Sequence, residues 1–132
     1  GREPVTLGWI RRAERRRLAK RALEEIGQSQ MPLDAPVRSL TIAQQQLVEI
    51  ARALVGDPRV LIMDEPTSSL TQVDTQNLFG VIERMSRRGV SVIYISHFLE
   101  ECQRVAGRYT VLRDGQSVGT GAMLEASLEQ II

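Results

Sequence analysis

A single cysteine, Cys102, stands among the 132 residues of this chain, so no internal disulfide framework can form, and a lone thiol suits a reducing cytosol. Aromatic residues are scarce, at 4%. Charge of one sign is missing as well. The 17 basic and 16 acidic side chains leave a net charge of +1, which gives no bulk electrostatic case for nucleic acid or a membrane surface. No apolar run approaches the roughly 18–20 residues that cross a bilayer, and no secretory signal opens the chain, so a soluble chain able to dock on a membrane partner is expected. Also absent is any Gly-x-x-x-x-Gly-Lys-[Ser/Thr], the loop whose backbone and lysine cradle phosphates.

What is present is unevenly spread. Arg11, Arg12, Arg15, Arg16, Arg17, Lys20 and Arg21 cluster in one segment, partly offset by Glu14, Glu24 and Glu25. Ile10, Leu18, Leu23 and Ile26 add a thin apolar stripe, which predicts an amphipathic helix over residues 10–26 ending near Gly27. No aromatic residue interleaves with the arginines, which favours a solvated helix face over contact with nucleic acid or lipid. Residues 1–9 read as an extended opening segment, and 27–40, with Pro32 and Pro36, as a loop.

Beyond residue 40 the pattern turns to alternating helix and strand. Leu47, Val48, Ile50, Ala51, Leu54 and Val55 recur at helical spacing and predict a helix over 42–55, closed by Gly56 and Pro58. Residues 60–63 read as a short buried strand, 73–87 as a helix and 90–96 as a second strand rich in β-branched residues. This βαβ unit makes the strands parallel with a right-handed crossover. A helix over 98–106 comes next, then a hairpin turning at Asp114-Gly115, then a last helix over 122–131. The length fits one domain with a modest core.

Three segments carry chemistry. In Val60-Leu-Ile-Met-Asp-Glu-Pro-Thr-Ser-Ser-Leu-Thr71, an apolar strand ends in two carboxylates, at the edge of an open sheet where ligands collect. There Asp64 can orient Mg²⁺ and Glu65 can polarise an attacking water. The parallel strands place Glu65 and His97, the only histidine, on one rim, where an imidazole can donate to a terminal phosphate oxygen or hold that water. Thr41 and Gln44 have capping-box spacing, and the helix N-terminus that they open offers free backbone N–H groups to a phosphate.

Together these segments resemble the ATP-binding-cassette (ABC) family. Leu40-Thr41-Ile42-Ala43-Gln44 occupies the place of the signature Leu-Ser-Gly-Gly-Gln, and residues 60–64 with Glu65 match the Walker B strand and its glutamate. Ser68-Ser69-Leu70-Thr71 stands where the D-loop lies, and His97 matches the switch histidine. A closer resemblance is to the first cassette of bacterial monosaccharide importers of the ribose/galactose/xylose type, on Ile42-Ala43-Gln44-Gln45-Gln46, Val48-Glu49-Ile50-Ala51-Arg52-Ala53-Leu54, Gly1-Arg2-Glu3-Pro4 and Tyr94-Ile95-Ser96-His97.

The resemblance implies an α/β fold, part of a P-loop NTPase, with a parallel βαβ core, a helical subdomain and a C-terminal β-hairpin. Residues 1–56 would belong to the helical subdomain and 57–132 to the Walker B half of the core. It implies ATP and Mg²⁺ as cofactors, with Asp64 on the metal, Glu65 and His97 catalytic, and Thr41, Ile42, Ala43, Gln44 and Ser69 on the nucleotide. Implied partners are transmembrane permease subunits, a second cassette and, indirectly, a periplasmic sugar-binding protein, at the cytoplasmic face of the inner membrane. Nucleic acid is not expected. The two signature glycines are Ile42 and Ala43 here, and the D-loop aspartate is Thr71. Because the family's phosphate loop precedes the matched region, the chain is expected to be the latter part of a cassette and inactive alone. Alternatives are a non-transport cassette protein that clamps nucleic acid, or a docking fragment without nucleotide chemistry.

Overall fold

The computed structural model describes residues 5–6, 9–10 and 12–125. Val5–Thr6 (β1) and Trp9–Ile10 (β2) pair antiparallel, so the expected extended opening is in part a small ladder. The first helix, α1, runs Arg12–Glu25, starting two residues later than the periodicity predicts because Ile10 is spent on β2. Its arginines face solvent, and Arg16 holds Asp34 of the following loop at 2.6 Å. That hydrogen bond, with the guanidinium charge, keeps the Asp34 carboxyl below its ordinary range.

After a short 3-10 helix at Val37–Ser39, α2 spans Ile42–Leu54 and buries Leu47, Ile50, Ala51 and Leu54 at helical spacing. Gly56 follows the C-cap residue Val55, yet the left-handed residue of this turn is Asp57, at φ 46°. The expected glycine-type closure is therefore displaced by one position. A short polar side chain tolerates that conformation better than most.

Strand β3 (Val60–Asp64), helix α3 (Gln72–Arg87) and strand β4 (Ser91–Ile95) form the expected βαβ unit. The strands pair in parallel, from Val60 opposite Ser91 to Asp64 opposite Ile95. Thr71 caps α3 by accepting from the Asp74 N–H, and the helix closes with the Val90 N–H donating to the Met85 carbonyl. One continuous core joins the layers: Leu23 and Ile26 from α1, Leu47 and Ile50 from α2, Leu61 and Met63 from β3, and Leu78, Val81, Ile82 and Met85 from α3. The opposite face of the two-stranded sheet, with Val60, Ile62, Ile93 and Ile95, is open to solvent.

Helix α4 (Leu99–Val105) leads to the hairpin of β5 (Arg108–Arg113) and β6 (Gln116–Ala122). Asp114 and Gly115 both have positive φ, 53° and 76°, as a type I′ turn demands. The helix expected over 122–131 does not begin at residue 122. Ala122 still belongs to β6, and Met123–Glu125 form a 3-10 helix; residues 126–131 lie outside the described residues. The strand continues because the Met123 N–H is bonded to the Gly107 carbonyl and the Met123 side chain is buried. Among the described residues no helix is long and apolar enough to cross a membrane.

Candidate functional site

Both parallel strands deliver candidate residues to one rim. Past Asp64, the Glu65 N–H donates to the Ile95 carbonyl at 2.9 Å, which carries the pairing one step beyond the ladder. Glu65 then turns into a left-handed conformation, φ 45°, that non-glycine residues rarely adopt. The turn swings its carboxylate toward the end of β4. Oε1 accepts from the His97 backbone N–H at 3.1 Å and lies 2.8 Å from His97 Nδ1. Two residues separated by 32 positions therefore share one oxygen. The other oxygen, Oε2, is buried and has no partner in the protein. An unsatisfied buried carboxylate oxygen is costly, so Oε2 marks a position that favours a proton or a hydrogen-bond donor.

Asp64 ends β3 with its side chain in solvent. His97 is also exposed and lies against the Phe98 ring at 4.0 Å between centroids. Among the described residues no cluster of three or more His, Cys, Asp or Glu could hold a metal ion. The exposed Asp64 carboxylate is an oxygen donor of the kind magnesium takes when its other ligands are phosphates and water, whereas the Glu65 carboxylate is turned to His97.

The capping box at the start of α2 is complete. Thr41 Oγ1 accepts from the Gln44 N–H at 3.2 Å, and Gln44 Oε1 accepts from the Thr41 N–H at 3.0 Å. Thr41 and Ile42 are exposed, whereas Ala43 and Gln44 are half-buried. Replacing Thr41 by Ala removes one bond of the box and should cost about 1 kcal/mol, read as a lower urea midpoint; Thr41→Asn should recover most of it.

Sequence reasoning missed Gln46. Its Nε2 donates to the Glu65 carbonyl at 3.3 Å and its Oε1 accepts from Ser69 Oγ at 2.5 Å, so one side chain of α2 holds both ends of the loop after β3. Three glutamines in succession hide which one turns inward; the helical phase set by Leu47 and Ile50 was the signal that could have found it. Glu101 was missed too. Its Oε2 accepts from Thr67, Tyr94 and Ser96. Burial and the Glu101 bond push the Tyr94 hydroxyl pKa up, and burial with the nearby Glu101 and Glu65 charges raises that of Cys102.

Known proteins resemble this chain in sequence and fold. The ribose import ATP-binding protein RbsA 2 of Burkholderia ambifaria is 46% identical over 133 residues, covering 100% of this chain and 26% of that protein. RbsA 1 of Burkholderia thailandensis is 52% identical over 114 residues, 86% of this chain and 22% of that protein. RbsA of Bacillus licheniformis is 40% identical over 126 residues, 96% and 25% respectively. The chain thus spans about a quarter of the length of these curated relatives. Among solved structures, a nucleotide-free ATP-binding cassette from an ABC transporter superposes with a TM-score of 0.73 at 26% identity, covering 88% of this chain and 46% of that one. A bacterial ABC transporter cassette solved as a dimer gives 0.76 at 23% identity, covering 89% and 51%. The fold is accordingly part of the P-loop NTPase fold of ABC cassettes. Residues 3–68, half of the sequence, match the family model described as ABC transporter, and the chain belongs to the ABC transporter family.

Proposed function

We propose that this chain is the latter part of an ATP-hydrolysing cassette that powers sugar import across the bacterial inner membrane. The observation that carries the reading is the Glu65–His97 pair at one rim, with one carboxylate oxygen engaged and the other buried without a partner. The relatives' names, ribose import ATP-binding proteins, supply the direction of transport and the sugar class.

In this reading Glu65 is the general base. Its Oε1 is held by His97, leaving Oε2 to take a proton from the attacking water. His97 steadies the terminal phosphate with the ring face and edge that remain exposed. Asp64 would hold Mg²⁺, which neutralises phosphate charge when bound. Thr41, Ile42, Ala43 and Gln44 offer the N-terminus of α2 to a nucleotide bound mainly by a second cassette, and Ser69 lines the same seam. Ile42 and Ala43 leave the backbone less room there than glycines would. Residues 1–56 would work as the helical subdomain against permease subunits on the cytoplasmic face, with a periplasmic sugar-binding protein upstream of them. The relatives' names give no support to a nucleic-acid clamp.

The test compares two proteins. By itself the 132-residue chain, lacking the phosphate-cradling loop, should bind Mg-ATP no tighter than about millimolar by calorimetry. A protein of the relatives' full length that contains this chain, reconstituted with its permease in vesicles, should hydrolyse ATP faster when sugar and binding protein are supplied. Micromolar binding by the chain alone would overturn the partial-cassette reading. Turnover indifferent to sugar would overturn the importer assignment.

A further inference from the structure

Glu101 lies on α4, four residues after His97 and outside the motifs of the ABC signature, Walker B strand and D-loop. Its Oε2 accepts from Tyr94 Oη at 2.7 Å, Thr67 Oγ1 at 2.8 Å and Ser96 Oγ at 3.3 Å. These donors come from separate places. Thr67 stands two residues after Glu65, Tyr94 is on β4, and Ser96 immediately precedes His97. Thr67 is the buried polar residue of the described chain, 8% exposed, so its hydroxyl needs a partner, and Glu101 is that partner. Ser96 Oγ also accepts from the Phe98 N–H at 3.0 Å, which fixes the backbone on both sides of His97.

We propose that Glu101 is a positioning residue, the tie that keeps Glu65 and His97 together at the rim; its catalytic consequence rests on the cassette function proposed for the chain. Glu65 sits in a left-handed conformation, and such a conformation persists only where the surroundings over-determine it. The loop after β3 and the loop after β4 are covalently remote. One carboxylate that accepts from both adds a second tie beside the direct Glu65–His97 bonds. Hydrogen bonds to an ionised acceptor are about twice as strong as neutral ones, so a carboxylate suits the task better than an amide.

A merely structural Glu101 would stabilise α4 and the core without acting on His97 in particular. Amide hydrogen exchange in the 132-residue chain separates the two. In Glu101→Ala the His97 N–H, which donates to Glu65 Oε1, should lose protection by about tenfold, while the Leu78 and Val81 amides of α3 stay within about twofold of the wild type. Glu101→Gln keeps an acceptor oxygen and should retain most of the His97 protection. Unchanged His97 protection in Glu101→Ala, or an equal loss at Leu78 and Val81, would overturn the proposal. Should Glu101→Ala not fold, Thr67→Val decides. It removes the donor by which the loop after β3 reaches Glu101, and an undiminished His97 protection there would also overturn it. The exchange readout needs no nucleotide. A cassette in which Glu101→Ala freed His97 yet left ATP turnover unchanged would keep the tie and refute the hydrolytic role of the pair.

Discussion

Glu65→Gln should lower steady-state ATP turnover by about 10²–10⁴-fold in a protein of the relatives' full length, the range for losing a general base. Glutamine matches glutamate in size, and its carbonyl oxygen can still accept from the His97 N–H, as Oε1 does here at 3.1 Å. What disappears is the basic oxygen at Oε2, which is buried and partnerless in the protein. The rim geometry survives and the base does not, so the loss should fall on kcat, with KM for ATP little changed. Turnover within about twofold of the wild type would remove Glu65 from the role of base, because a base that contributes so little is not acting in the rate-limiting step.

Leu78→Ala is expected to have the largest effect on stability. Leu78 is 1% exposed, beside Val81, which is fully buried, on the face of α3 that packs against the rest of the core. A leucine truncated at such a site costs about 2–5 kcal/mol, because packed neighbours collapse only partly into the space left behind. Small domains are stable by about 5–15 kcal/mol in total, so the substitution removes a large part of what holds the chain folded. Val73→Ala on the same helix is the control: Val73 is 70% exposed, and its loss should stay within about 0.5 kcal/mol. Urea unfolding followed by circular dichroism measures both, and similar midpoints for the two variants would contradict the placement of the core.

The elements whose pattern is local were legible in the residues themselves. The α2 stripe, the βαβ unit and the Asp114-Gly115 turn stand where periodicity and turn chemistry put them. The end of the hairpin was not legible. Gly119 and Gly121 interrupt the alternation that marks a strand, and Gly121 is there because an added Cβ would come within 3.0 Å of the Tyr109 ring across the ladder. That reason is tertiary and leaves no local trace, so β6 runs to Ala122 where a helix was expected. Likewise the displaced left-handed residue at Asp57 depends on how α2 hands the chain to β3.

The candidate site divides in the same way. Glu65 and His97 could be placed on one rim from the parallel crossover alone, and they meet there. Their supports were harder to read, although the helical phase of α2 pointed to Gln46. Gln46 and Glu101 belong to ordinary helix sequence, and the folded arrangement of the loops after β3 and β4 reveals what each of them ties together. Supporting contacts depend on which side chain turns inward, and that is settled by packing after the strands are paired.

Asp64 faces Ile95 in the parallel ladder, and the Glu65 N–H donates the next bond to the Ile95 carbonyl. Strand alignment here acts as a ruler for reactive groups. Sliding β4 by one rung would move the imidazole along its neighbour by about 3.3 Å and reverse which side chains face the core. A change deep in the β3–β4 interface, among side chains with no chemistry of their own, can therefore part Glu65 from His97 without touching either residue.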